Sequence, residues 1–287
     1  MMKNKWTTSL FTVSQRIGIV WMAVLFFAPL VVEAQGDLMI TPRRIVFEGN
    51  RDRQEITLAN TGNDTARYTV SFVQYRMNED GSFTQITEPD PGQLFADPYL
   101  RYFPRTVTLA PRESQVLRMQ LRRRPDMQPG EYRSHMYFRA VPEERALGEE
   151  DLIEDTTAIG IRLTPIFGIT IPVIVRIGEV NVSVQLSNLK VSQREDGTQW
   201  LSLTFGREGN RSVYGDLIVE HTKPGKEPVQ VGIVRGIAVY TPNTLRNFSL
   251  QLRPPEGVNL SSGKLTVRYI SGSEASPEVF ATSELSL

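Results

Sequence analysis

Ile159-Gly160-Ile161-Arg162-Leu163-Thr164-Pro165-Ile166-Phe167-Gly168-Ile169-Thr170-Ile171-Pro172-Val173-Ile174-Val175 is the stretch on which the reading of this chain turns. Every odd position is apolar, a period of two kept over seventeen residues. That is about three times the length of an ordinary strand. The even positions are mostly small or polar, with Ile166 and Ile174 as the exceptions. The pattern predicts one long strand carrying a single apolar row. Pro165 and Pro172 have no N–H to give to a ladder, so at least one side of this strand is expected at a sheet edge. A long apolar edge left incompletely paired is an aggregation hazard that proteins suppress. Its retention predicts that it is used, most simply to pair with another chain.

The rest of the chain repeats the same alternation in shorter pieces. Gln54–Leu58, Tyr68–Phe72, Thr106–Leu109, Gln115–Met119 and Ser134–Phe138 precede the long strand. Val180–Leu186, Gln199–Phe205, Asp216–Glu220, Val229–Val234, Asn247–Leu252, Lys264–Tyr269 and Glu278–Leu285 follow it. Turn residues separate them, as in Asn60-Thr61-Gly62-Asn63-Asp64, Asn78-Glu79-Asp80-Gly81, Glu195-Asp196-Gly197 and Lys223-Pro224-Gly225. Strands at this spacing, with almost no helical periodicity between them, predict an all-β chain of two immunoglobulin-like sandwiches in tandem. The boundary is expected at the short connector Ile177-Gly178-Glu179. Residues 35–177 then form the first domain, and 178–287 the second. Glu143–Asp155 holds seven acids in thirteen residues with no apolar repeat, and reads as a mobile, solvated loop ahead of the long strand.

The first 34 residues read as a secretory signal peptide. Lys3, Lys5 and Arg16 precede an uncharged apolar run from Ile17 to Val32, and Val32-Glu33-Ala34 offers small residues for cleavage before Gln35. Sixteen residues is short for a membrane-spanning helix. Taking away residues 1–34 removes three of 32 basic and one of 32 acidic side chains, leaving 29 against 31. A near-neutral chain lacks the basic excess of a nucleic-acid binder. The 287 residues less these 34 leave 253, enough for two domains of ordinary size. With no cysteine in the chain, each domain must rest on its own core.

Catalytic chemistry has little to work with. The two histidines are His135 and His221. His135 sits in an alternating strand with no cysteine or carboxylate at ligand spacing, which favours a packing role. His221 adjoins a Lys-Pro-Gly turn and is expected to be exposed. There is no G-x-S-x-G nucleophile turn, and Gly257–Lys264 misses the spacing of a phosphate loop. Arg122-Arg123-Arg124 reads as a solvated strand end. No enzyme, metal, cofactor or small-molecule substrate is expected.

Several stretches, in order, resemble the periplasmic chaperones of the chaperone–usher pilus pathway. Thr41-Pro42-Arg43-Arg44-Ile45-Val46-Phe47 is similar to the family's first strand. Leu109-Ala110-Pro111 with Gln115-Val116-Leu117-Arg118 is similar to its L-x-P … V-x-R stretch. Gly130–Pro142 is similar to the strand that leads into the long loop, and Ile159–Arg176 occupies the place of the donor strand. The resemblance covers residues 37–176 well, and the remainder only as a second sandwich of suitable size.

The resemblance implies a non-enzymatic protein that lends its long edge strand to an incomplete pilin-like subunit and delivers it to an outer-membrane usher. Chaperone–pilin pairing is an established instance of strand addition, and the expectation is borrowed from it. By position, Ile159, Ile161, Leu163, Phe167 and Ile169 would be the donor row. Arg44 would clamp the subunit's terminal carboxylate, with Arg43 exchanging places if the register slips by one. Arg176 and Arg118 would stand at the domain interface. Two positions depart from the family. The donor-strand lysine falls on Pro172, which weakens the carboxylate clamp or means that another basic residue supplies it. Arg133 stands where many members carry the glutamate that pairs with the interface arginine. The free protein could also associate with itself through its edge. A structural or adhesive envelope protein built from immunoglobulin-like modules is the alternative reading.

Overall fold

A computed structural model describes residues 38–142, 166–272 and 277–287. Residues Leu38–Leu287 form one compact unit. The chain runs through β1 (Leu38–Thr41), β2 (Ile45–Phe47), β3 (Arg53–Asn60), β4 (Ala66–Met77), β5 (Phe83–Ile86), β6 (Leu100–Phe103), β7 (Thr106–Leu109), β8 (Ser114–Leu121), β9 (Gly130–Ala140) and β10 (Gly168–Ile177). It continues through β11 (Val182–Gln193), β12 (Gln199–Gly209), β13 (Val213–Thr222), β14 (Val229–Val239), β15 (Leu245–Gln251), β16 (Lys264–Ser271) and β17 (Val279–Ser286).

The first ten strands make two sheets, one in the order β1-β3-β8-β6 and the other in the order β2-β10-β9-β4-β5 with β7 beside β4. The last seven make sheets β11-β12-β15 and β14-β13-β16-β17. Among the described residues no strand before Gly178 pairs with one after it. The architecture is therefore two β-sandwiches in sequence.

Alternation explains why these segments are strands. In β8, Leu117, Met119 and Leu121 point inward while Arg118 and Gln120 face water. In β16, Leu265, Val267 and Tyr269 do the same. Each inward row meets its counterpart across the sandwich. Phe47, Leu58, Leu117, Phe138 and Val173 share the first core, while Phe205, Leu217, Val267 and Tyr269 share the second. Burying each such side chain contributes about 1.5–3 kcal/mol.

A third apolar cluster joins the sandwiches. It consists of Met77, Ile174, Ala238 and Tyr240, with Val46 against it. The β4–β5 hairpin reaches across at the same place. Asn243 Nδ2 donates to Met77 O at 2.7 Å, and Asn247 N donates to Glu79 O at 2.6 Å. The connector turns at Gly178, whose φ is +65°. A Cβ there would lie 3.0 Å from Pro129 Cβ, so both the backbone sign and the space select glycine.

His221 corrects its expectation. It is 3% exposed, not solvated. It follows Val219 on the inward row of β13, and its Nε2 lies 2.9 Å from Ser262 O. Strand parity outweighed the neighbouring turn.

Candidate functional site: an open strand edge and an arginine-lined cleft

Strand β10 pairs antiparallel with β9 along its whole length, from Gly168 opposite Arg139 to Ile177 opposite Gly130. Its other side meets β2 only at Val173–Val175, in parallel. Among the described residues nothing pairs with that side of Gly168–Pro172. Ala140 N donates to Phe167 O at 2.9 Å, so Phe167 turns its backbone groups toward β9. By the alternation of an antiparallel ladder, Gly168, Thr170 and Pro172 turn theirs the other way, to the open side. Pro172 has no N–H to leave unsatisfied there. The proline thus sits on an edge, as its chemistry requires.

The apolar row changes environment along this strand. Val175 and Val173 are sealed in the first core, and Ile171 is 2% exposed. Ile169 is partly buried against that core. Phe167, one step further along the row, is 46% exposed, as is Ile166 beside it. One row of side chains therefore begins inside the sandwich and runs out of it. Among the described residues, the backbone beside it is an unpaired edge where the exposure begins. Ile159, Ile161 and Leu163 of the expected donor row lie outside the described residues, as do the acidic segment 143–155 and the expected signal segment 1–34.

A cleft of about 210 Å³ lies between the sandwiches, lined by Arg44, Val46 and Arg176 from the first and by Arg211, Val213, Tyr214 and Phe280 among others from the second. Arg44 precedes β2. Its guanidinium lies 4.5 Å over the Tyr214 ring and 5.8 Å from that of Tyr240. Arg44 Nη1 is buried and has no hydrogen-bond partner. Arg43 is exposed and does not line the cleft.

Arg176 is the centre of an ion-pair network. It reaches Glu48 Oε2 at 3.0 Å through Nη1 and Glu131 Oε2 at 3.2 Å through Nε. The same Glu131 oxygen accepts from Ser212 N at 3.2 Å, which ties the first sandwich to the second. The interface bridge is thus supplied by Glu131, two residues before the position at which the family resemblance places the glutamate. Positions 131 and 133 share one face of β9, so either side chain can reach the junction.

Arg133 takes a different part. Its guanidinium is buried 4.4 Å over the Tyr240 ring, and Nη2 donates to Tyr75 O and Thr241 O, each at 3.4 Å. Burial pushes this guanidinium down from its ordinary pKa and the Tyr240 phenol up. His135 packs edge-on against Tyr75 and Phe83 at centroid distances of 5.1 and 5.9 Å. Burial, with Arg133 adding to it, lowers its pKa to about 3, so it is neutral.

Neither a family model nor a curated protein matches this chain. Solved structures do. One is a chain of the CsuC–CsuE chaperone–tip adhesion subunit pre-assembly complex of Acinetobacter baumannii, at 12% identity, with 87% of this chain and 98% of that one covered and a TM-score of 0.46. Another is the Pseudomonas aeruginosa CupB2 chaperone, at 11% identity, 87% and 100% covered, TM-score 0.41. A third is a chain of the Salmonella enterica SafA pilin–SafB chaperone complex, at 15% identity, 88% and 98% covered, TM-score 0.40. The chain resembles fimbrial chaperones.

Arg118 corrects its expectation. It pairs with Glu55 at 3.1 Å, and its side chain is 80% exposed. Leu117 and Met119 point into the core, so Arg118 must face the opposite surface, on the sheet that does not meet the second sandwich through β4 or β10. Sequence reasoning missed Arg211 and Tyr214. Nothing local distinguishes them from other turn and strand-end residues, and only the packing of the sandwiches brings them to Arg44. Within the arginine run, Arg123 pairs with Asp52 at 2.8 Å.

Proposed function

We propose that this protein is a non-enzymatic periplasmic chaperone that captures incomplete pilin-like subunits by lending them an edge strand and passes them to an outer-membrane usher. One observation carries the reading. The row Val175, Val173, Ile171, Ile169, Phe167 leaves the core along a strand whose other side, among the described residues, is unpaired from Gly168 to Pro172. An acceptor sandwich that lacks a strand would find both backbone groups and apolar side chains at this margin.

The donor row extends through Leu163, Ile161 and Ile159. Burying four or five such side chains offsets the ordering cost of association. Arg44 receives the subunit's terminal carboxylate, which fixes the register of the borrowed strand. The two domains meet at residue 178, and Arg176 holds them in the orientation that forms the cleft.

The test replaces Ile161 and Leu163 together by Asp in the full-length chain expressed with pilin-like subunits. Subunit recovered from the periplasm should fall at least tenfold, while the urea midpoint stays within error of the parent. Undiminished recovery would sink the proposal.

A further inference from the structure

We infer that Arg211 and Tyr214 of the second sandwich complete an anion site with Arg44 of the first, so that a chain-terminal carboxylate in the cleft is held by both sandwiches at once. This deepens the reading of the cleft as a subunit site, and rests on it for the identity of the ligand.

Three guanidiniums line the cleft, but they are not equivalent. Arg176 is satisfied by Glu48 and Glu131. Among the described residues Arg44 and Arg211 have no carboxylate partner, and each has a buried nitrogen without an acceptor, Nη1 of Arg44 and Nε of Arg211. A buried guanidinium donor left unpaired is costly. Both guanidiniums line the cleft, so an anion there would lie against two cations that have no carboxylate partner among the described residues.

The turn that carries the second cation is fixed before any ligand arrives. Arg211 sits on the turn from β12 to β13. The buried Arg207 pins that turn, donating through Nη1 to Gly209 O at 2.8 Å and to Arg211 O at 3.1 Å, and through Nε to Asn243 O at 2.7 Å. Asn210 fixes it from the connector side, with Nδ2 donating to Glu179 O at 3.1 Å. Tyr214 is a positioning residue: its ring lies under the Arg44 guanidinium and keeps it facing the cleft.

The walls choose among anions. Val46, Val213, Tyr214 and Phe280 are apolar or aromatic. The volume corresponds to about seven waters' share of liquid, room for one terminal residue. A carboxylate on an apolar body fits both features better than a free inorganic ion. Because the donors come from both sandwiches, carboxylate binding and the docking of the sandwiches must reinforce each other. The position left by Pro172 needs no cation of its own on the strand.

The probes are N-acetyl-phenylalanine and its C-terminal amide, titrated into the full mature chain by calorimetry. The acid should bind in the millimolar range, less tightly as salt rises, and the amide about tenfold or more weaker. Arg44→Gln and Arg211→Gln should each lose about tenfold or more, Tyr214→Leu a smaller factor, and Arg43→Gln less than twofold. If Arg211→Gln lowers the urea midpoint, Arg211→Lys decides, since it keeps the charge and should retain part of the binding. Wild-type affinity in a folded Arg211 variant, equal binding of acid and amide, or no binding of the acid up to tens of millimolar overturns the assignment. Ile161→Asp/Leu163→Asp should leave probe binding intact. Probe binding as expected without any subunit capture removes the chaperone reading and keeps the site. Capture with an indifferent Arg211 does the reverse.

Discussion

Glu131 and Arg176 meet at 3.2 Å in the junction of the two sandwiches, the carboxylate fully covered and the guanidinium side chain 13% exposed. Glu131 Oε2 also accepts from Ser212 N. Removing Arg176 leaves the Glu131 carboxylate buried with only the Ser212 N–H to bond it, whereas removing Glu131 leaves Arg176 its partner Glu48. Arg176→Met should therefore cost about 3–5 kcal/mol in urea unfolding. The double change Glu131→Leu/Arg176→Met should recover a good part of that loss. A single change costing under 1 kcal/mol would show the junction to be wetter than the structure has it.

Arg133 is the opposite case. It is buried over Tyr240 with two nitrogens, Nε and Nη1, lacking partners. Arg133→Met strands no partner carboxylate in an ion pair and removes a desolvated charge. Thermal unfolding should show stability unchanged within about 1 kcal/mol, or raised. A loss above about 2 kcal/mol would mean that the stack on Tyr240 outweighs desolvation.

His135 links folding to pH. Its pKa falls from 6.5 to about 3 on folding because the ring is buried beside Arg133. The unfolded chain therefore binds a proton between those values that the folded chain refuses. The contribution of the neutral ring is complete above pH 6.5 and is lost as pH falls toward 3, at up to about 1.4 kcal/mol per pH unit. Between pH 7 and 4.5 the parent should lose about 2 kcal/mol more than His135→Gln does. Parallel pH profiles for the two proteins would contradict the burial of this ring.

Gly178 sets the turn between the sandwiches with φ +65° and Pro129 at 3.0 Å from any added Cβ. Gly178→Ala should lower stability by about 1–2 kcal/mol at unchanged m-value. Glu179→Ala beside it should be silent within about 0.5 kcal/mol, since it is exposed and contributes its carbonyl, not its side chain, to Asn210.

The strands, their inward faces and the edge position of Pro172 were legible in the chain because each depends on a period of two and on what proline cannot donate. The same parity places Arg118 outside and His221 inside, where a neighbouring turn or a family position suggested otherwise. Position 131 was not singled out as the junction's acid, because facing the junction is a property of the whole strand face and not of one residue.

Residue order alone determined that this protein is a pair of β-sandwiches and that one of its apolar rows is unusually long, since alternation is a local property of the backbone. Only the tertiary structure decided where that row leaves the core, between the buried Ile171 and the half-exposed Phe167. Only it brought Arg44, Arg176, Arg211 and Tyr214 to one cleft. Those residues are far apart along the chain and share no local pattern. Their meeting follows from how two finished sandwiches pack on Met77, Ile174, Ala238 and Tyr240, a contact that exists only after both have folded.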